Sequence, residues 1–438
     1  MLANYATIEI FLGGSWVPAA TLKPVDVGRG YQSASQFEYL LEYATEYAGA
    51  ATAAAMGTSC RYPVDFDLHR ETNWPPFMLD ILPSGFGRRL WLEQLELADG
   101  PSADWQLLLR GAAFPPGNLR IAEAAAAKDL DCLVPTASGD SVAMRDHPGF
   151  TRDEVVARGE TFIEYAYQLG IYAAGGSDVQ GVAPKLLLAE DWGGAWHAEG
   201  RLPDHAVKQH WLMKRPRGNS DADLQVLRNE AAYMRVAAEL GLRVHANLDW
   251  DSNNLFVPRF DRTVRDKQIV RHGMESLCSL AGVAEFGTRI SHDTLSDALL
   301  RYSTHPQQDL LEYIKRDVTN VVLGNKDNHA RNTAVLRYED GTVMLAPLFD
   351  FAPMYLDPEG IARVCRWEGD AEHAGNPEWA AVVKRFPKYQ LEFATQLRTF
   401  GDTLQRLPEV MHTCGVDDDI IDHRLLAIDD HAKQLRAL

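Results

Sequence analysis

Asp327 and Asn332 stand five positions apart in GNKDNHARN (324–332), the spacing of the Asp and Asn in the kinase catalytic loop H-R-D-x-x-x-x-N. LAPLFDF (345–351) follows, and its Asp350 precedes a Phe like the metal-binding Asp of D-F-G. Transfer of a γ-phosphoryl group needs a carboxylate to orient the attacking hydroxyl and accept its proton. It also needs hard oxygen donors that hold Mg²⁺ against the phosphates. One D-x-x-x-x-N pair arises by chance in an acidic chain, and Asp and Asn are common turn formers. Three oxygen-bearing side chains in this order favour phosphotransfer. Within the loop, His329 reads as a nucleotide contact rather than a catalytic base.

Two upstream residues complete the set. Lys214 ends the strand pattern HWLMKRP, where Leu212 and Lys214 face the side opposite Trp211 and Met213. Glu230 lies on the next helix and shares a face with Leu227 and Met234 by i, i+3 and i+4 spacing. A lysine on the α- and β-phosphates, held by a helix glutamate, is how kinases place ATP. The competing reading is a solvated surface pair worth under ~1 kcal/mol. GGSDVQGVAPK (175–185) precedes these strands without matching G-x-G-x-x-G or G-x-x-x-x-G-K-[ST], although its glycines allow close backbone approach to phosphates. No H-E-x-x-H or G-x-S-x-G offers a rival chemistry.

The elements that must carry these residues follow from periodicity. ATIEIFLGGSWVPAATL alternates around Gly13-Gly14, a hairpin signal. FEYLLEYATEYAGAATAAAM and TFIEYAYQLGIYAAGG read as helices, the second closed by Gly175-Gly176. PKLLLAEDWGGAWHAEG reads as two strands and HWLMKRP as a third. DADLQVLRNEAAYMRVAAELG is then a helix capped by Asp221 or Asp223, with a stripe of Leu224, Leu227, Ala231, Met234 and Ala238. After NNLFVPRFDR the pattern is mainly helical. The long helix PQQDLLEYIKRDVTNVVLG stops at Gly324, and an Asp340-Gly341 hairpin returns Asp350 towards Asp327.

This order predicts an α+β, bilobal protein-kinase-like fold: an N-terminal α/β subdomain over 1–145, a nucleotide-binding small lobe over 146–258 and a mainly helical catalytic lobe over 259–438. A length of 438 residues fits two or three packed units. With 46% hydrophobic and 24% charged residues the composition is that of an ordinary soluble protein. A net charge of −18 argues against direct nucleic-acid binding through a basic surface. Five scattered cysteines without C-x-x-C spacing exclude a disulfide framework and fit a reducing, cytoplasmic setting. No window approaches a membrane span.

The ordered set GVAPK, LFVPRFDR, GNKDNHARN and LAPLFDF resembles the HipA family of serine/threonine kinases, the toxins of bacterial toxin–antitoxin pairs. The family's patterns end in a Lys after a Gly-containing loop, in R-F-D-R, in N-x-D-x-H-x-x-N and in L-A-P-x-x-D. The resemblance implies that Asp327 is the catalytic aspartate, that Asn332 and Asp350 ligate Mg²⁺, and that Lys214 contacts phosphate. It implies a nucleotide loop of Gln180, Gly181, Val182, Ala183, Pro184 and Lys185, and an adenine-contacting segment of Pro258, Arg259 and Phe260. Pro258 replaces a commonly acidic residue, and its C=O preserves an acceptor. Asp178 stands where members carry a phosphorylated serine, with Ser177 one place further away. MESLCS departs from E-D-x-C-Q at Ser276 and Ser279.

The resemblance further implies ATP and Mg²⁺ as cofactors and a protein substrate such as an aminoacyl-tRNA synthetase. It also implies a helix-turn-helix antitoxin, with DNA reached only through that partner. The rivals are a small-molecule phosphotransferase and a pseudokinase scaffold.

Overall fold

The computed structural model describes residues 3–50, 52, 56–127, 133–136, 138, 140–157, 160–169, 184–218 and 220–438. The expected loop residues Gln180, Gly181, Val182 and Ala183, with Ser177, Asp178 and the Gly175-Gly176 stop, lie outside the described residues, as do Ala51 and Ala53–Ala55 of the expected first helix. The fold is α+β, as the element order predicts.

The N-terminal unit is an antiparallel sheet ordered β4-β3-β2-β1-β5. Its strands are β1 (Ala6–Leu12), β2 (Ser15–Pro24), β3 (Ser35–Tyr39), β4 (His69–Glu71) and β5 (Leu119–Ile121). Gly13 and Gly14 both take positive φ, the two-residue turn that the right-handed twist of a hairpin favours. The expected helix from Phe37 starts later than predicted. Phe37 and Tyr39 are strand residues with buried rings, a helix runs over Leu41–Tyr47, and Met56 is again helical, its N–H bonding Thr52 O (2.9 Å). Alternate burial of aromatic residues outweighed the helical propensity of the run. A short helix, α1 (Met78–Ile81), packs its apolar side into this unit's core.

The small lobe is a second antiparallel sheet, ordered β9-β10-β8-β6-β7. Its strands are β6 (Lys185–Asp191), β7 (Trp196–Ala198), β8 (Val207–Lys214), β9 (Asp249–Asp251) and β10 (Asn254–Pro258). Leu186, Leu188, Met213 and Phe256 face a core that includes Met144, Phe150, Phe162 and Tyr165. The alternate residues Lys185, Leu187, Leu212, Lys214 and Val257 line a cleft on the other face. The side-chain period of two therefore gives this sheet one structural and one cleft-lining face.

Helix α2 (Asp221–Glu239) crosses to the helical lobe. Its cap is Ser220 rather than Asp221 or Asp223. Ser220 Oγ accepts from Asp223 N, and the Asp223 carboxylate reaches back to the Ser220 backbone in a capping box. Leu227, Ala231 and Met234 join the large helical core, whereas Ala238 is exposed. The segment after Arg262 departs from the helical expectation. Arg262–Arg265 pairs with Gln268–Arg271, and β11 (Gly273–Ser276) joins a sheet with β12 (Ala334–Arg337) and β13 (Val343–Leu345).

Helix α3 (Pro306–Leu323) ends at Gly324 in the left-handed region, φ 74°. A Cβ there would lie 2.7 Å from Tyr355 Cδ1. Gly324→Ala is therefore expected to destabilise the protein by more than about 1 kcal/mol, read as a lowered thermal midpoint.

A buried ionic cluster fixes the end of α3 against the loop beyond β13. Asp317 bonds Arg363 (2.7 Å) and Trp367 Nε1 (2.8 Å) and lies 3.2 Å from His292 Nε2. Burial alone would raise its pKa, but the Arg363 and His292 charges hold the carboxyl well below the usual range. Because the folded-state value is depressed, this stabilisation is complete above the unfolded value of about 4 and is lost as pH falls below it. Melting curves of Asp317→Asn and the unsubstituted chain should therefore converge at acid pH and separate at neutral pH.

Candidate active site

Lys185 and Lys214 are directly opposed in the β6–β8 register, so their side chains leave the same face of the sheet. Two like charges so placed repel unless countered. Asp350 and Glu230 supply the counter-charges. Asp350 Oδ2 accepts from Lys185 Nζ at 3.0 Å, and Oδ1 accepts a short bond from Lys214 Nζ. Lys214 also donates to Glu230 Oε1 at 2.5 Å, as the helix-face spacing predicts. Burial would lower the Lys214 pKa, but the two carboxylates raise it above its ordinary value. Burial would likewise raise Asp350, yet the two ammonium groups hold it well below the usual carboxylate range. Glu230 is pushed upward, chiefly by burial, with Lys214 opposing.

Asp350 is presented by the strand-and-loop return after β13 and takes φ 51°, a conformation that few side chains other than Asn and Asp adopt readily. Such backbone states persist where surrounding contacts hold them, often at functional sites. Here two lysines and the Leu348 N–H bond to Arg243 O (2.8 Å) do so.

The loop after Gly324 brings the other residues in. Asn332 Nδ2 donates to Asp327 O (3.0 Å) and Asp327 Oδ2 (3.4 Å), which leaves its side-chain oxygen as the free ligand atom. Asp327 Oδ1 and His329 Nε2 are buried, have no hydrogen-bond partners among the described residues and lie 3.6 Å apart. Asp327, His329, Asn332 and Asp350 line one pocket, and Asn332 and Asp350 also line the cleft beneath the small lobe. No three His, Cys, Asp or Glu side chains gather as a metal site among the described residues. Asn332 and Asp350 nevertheless offer hard oxygens, and Mg²⁺ commonly completes its shell with water and substrate phosphate. The donor set fits that ion.

The cleft's apolar walls are Leu187, Leu212, Val257, Leu248, Met234 and Leu348, with Pro258, Arg259 and Phe260 at one edge. Arg259 turns its guanidinium away from nucleotide chemistry, making two bonds to Asp261 (2.9 and 2.6 Å). Its N–H is spent on His210 O (3.0 Å). Phe260 packs on Phe349 at 5.6 Å. Pro184, half-buried, accepts from Arg215 N (3.1 Å).

The HipA-like C-terminal domain family matches residues 177–412, a span holding every one of these side chains. The chain belongs to that family. Two curated proteins, each named a putative kinase, are similar to parts of it. Y4mE of Sinorhizobium fredii is 34% identical over 141 residues, 30% of this chain and 33% of that one. A protein of Haemophilus influenzae is 24% identical over 163 residues, 33% of this chain and 48% of that one. The matched segments thus span a third and about half of those relatives. The fold resembles HipA of Shewanella oneidensis, solved with HipB and its operator DNA, over 99% of this chain and 100% of that one, with a TM-score of 0.65 at 17% identity. That likeness establishes the bilobal kinase-like architecture.

Sequence reasoning missed the cleft wall contributed by the N-terminal unit, namely Leu79, Asp80, Ser84 and Pro116. Nothing local marks Asp80, whose partners lie in Ser276 and Arg331.

Proposed function

We propose that the chain is an ATP- and Mg²⁺-dependent serine/threonine protein kinase. The grouping of Asp327 with Asn332 and Asp350 in one pocket, and of Asn332 and Asp350 with the paired lysines Lys185 and Lys214 in the adjoining cleft, carries this reading. The apolar walls accept a flat base, and the Pro258–Phe260 edge offers backbone groups to it. Lys185 and Lys214 hold phosphate oxygens, with Glu230 keeping Lys214 in place. Asn332 and Asp350 hold Mg²⁺, which when bound neutralises charge on the β- and γ-phosphates. Asp327 orients the acceptor hydroxyl, and its Oδ1, which has no hydrogen-bond partner among the described residues, receives the proton. Catalysis is then positioning and charge neutralisation, without a covalent enzyme intermediate.

A helix-turn-helix antitoxin is the proposed partner and the cytoplasm the proposed location. The fold's likeness to a HipA solved with HipB and operator DNA supports the partner. A net charge of −18 suits a chain that meets DNA through another protein. No helix among the described residues is long and apolar enough to cross a membrane. Phosphopeptide mass spectrometry after incubating the chain with Mg-ATP and lysate tests the reading. Labelled serine or threonine peptides are expected, and label confined to small metabolites would overturn the protein-kinase assignment.

A further inference from the structure

Asp80 sits on α1, in the N-terminal unit, yet both its carboxylate oxygens are spent on the catalytic lobe. Oδ2 accepts from Ser276 N (2.9 Å), and Oδ1 accepts from Ser276 Oγ (2.7 Å) and Arg331 Nη1 (2.7 Å). Arg331 belongs to the turn Ala330–Asn332 and immediately precedes the proposed metal-holding amide. Its guanidinium also lies 4.8 Å from the Phe286 ring centroid. All three bonded residues face the cleft together with Asn332.

A serine hydroxyl has one proton to donate. Ser276 gives it to Asp80, while its oxygen accepts Ser279 N (3.1 Å) to cap the short helix that follows. An Asp at 276 would make the same cap but would confront Asp80 with a second carboxylate. One carboxylate is therefore accommodated at this point, and here it arrives from another unit of the fold. Mostly buried ion pairs add little net stability, so the consequence of this one is geometric: it fixes the residue beside Asn332.

We infer that Asp80 is a positioning residue of the phosphotransfer site, tethering the Asp327–Asn332 loop through Arg331. Its second readout below rests on the proposed Mg²⁺-holding role of Asn332; its first does not.

Hydrogen exchange of residues 325–333 is compared in the full chain, Asp80→Asn, Arg331→Lys and the relocated pair Asp80→Asn with Ser276→Asp. Breaking the tether from either side is expected to speed exchange in that loop about tenfold. The relocated pair should return it towards the original rate, a rescue that general loss of packing would not produce. Binding of a fluorescent ATP analogue is then measured in EDTA and in Mg²⁺. Asp80→Asn should weaken the Mg²⁺-dependent gain about tenfold and lower the EDTA affinity by less than that. Unchanged loop exchange in both single variants overturns the inference, as does loss that the relocated pair fails to reverse. Absence of any Mg²⁺ gain in the unsubstituted chain instead overturns the functional reading, with the tether still judged by exchange.

Discussion

Asp327→Asn is expected to lower phosphotransfer about 10³-fold while leaving nucleotide binding nearly unchanged. The substitution preserves size. Asn332 keeps its bond to the backbone oxygen of residue 327, which is the shorter of its two contacts there. The Lys185, Lys214 and Asp350 group on the opposite wall is untouched. What disappears is a carboxylate oxygen with no hydrogen-bond partner among the described residues, 3.6 Å from His329 Nε2 and suited to take a hydroxyl proton. Single-turnover transfer to substrate peptide, beside ATP-analogue binding, separates the two effects. A variant that transfers at the normal rate would remove Asp327 from the chemistry. One that loses binding and transfer together would make its role structural.

Lys214→Met should reduce both nucleotide affinity and stability, the latter by roughly 3 kcal/mol, because a mostly buried carboxylate loses its cation. Asp350 retains Lys185, but Lys214 is the cation bonded to Glu230. Burial already pushes Glu230 upward, and without Lys214 it should take up a proton readily. A folded-state value raised above the unfolded one gives stability that is present at low pH and lost as pH rises through the folded value. The variant's deficit should therefore be smallest in acid and largest above neutrality. Adding Glu230→Gln, which removes the buried charge, should recover part of the loss and flatten that dependence. Thermal melts across pH check both statements; a deficit that is constant with pH would show that Glu230 is not the cause.

Much of the site was legible because its signals are local. The five-residue spacing of Asp327 and Asn332, the Gly324 stop and the Asp340-Gly341 hairpin need only neighbouring residues. So does the opposite facing of Met213 and Lys214, which the sheet reproduces. The strands over 262–276 were missed for an equally local reason. Their turn uses Asp266 and Lys267, both at positive φ, where Asn-Gly or Asp-Gly would have signalled a hairpin. The strands are four residues long, with charged residues at both ends of the first. The sequence marks Lys185 as the end of a loop, not as the residue opposite Lys214, because register is a property of two strands and these lysines stand 29 positions apart (214 − 185).

From the chain alone came the types of group available, their order, and the elements able to carry them, since periods of two and 3.6 residues follow from backbone geometry. Tertiary structure decided which charges neutralise one another. Lys185 and Lys214 share Asp350, and Asp80 reaches from a helix of the N-terminal unit to Ser276 and Arg331. Such pairings depend on which groups lose water together on folding, and desolvation belongs to the assembled cleft rather than to any window of sequence.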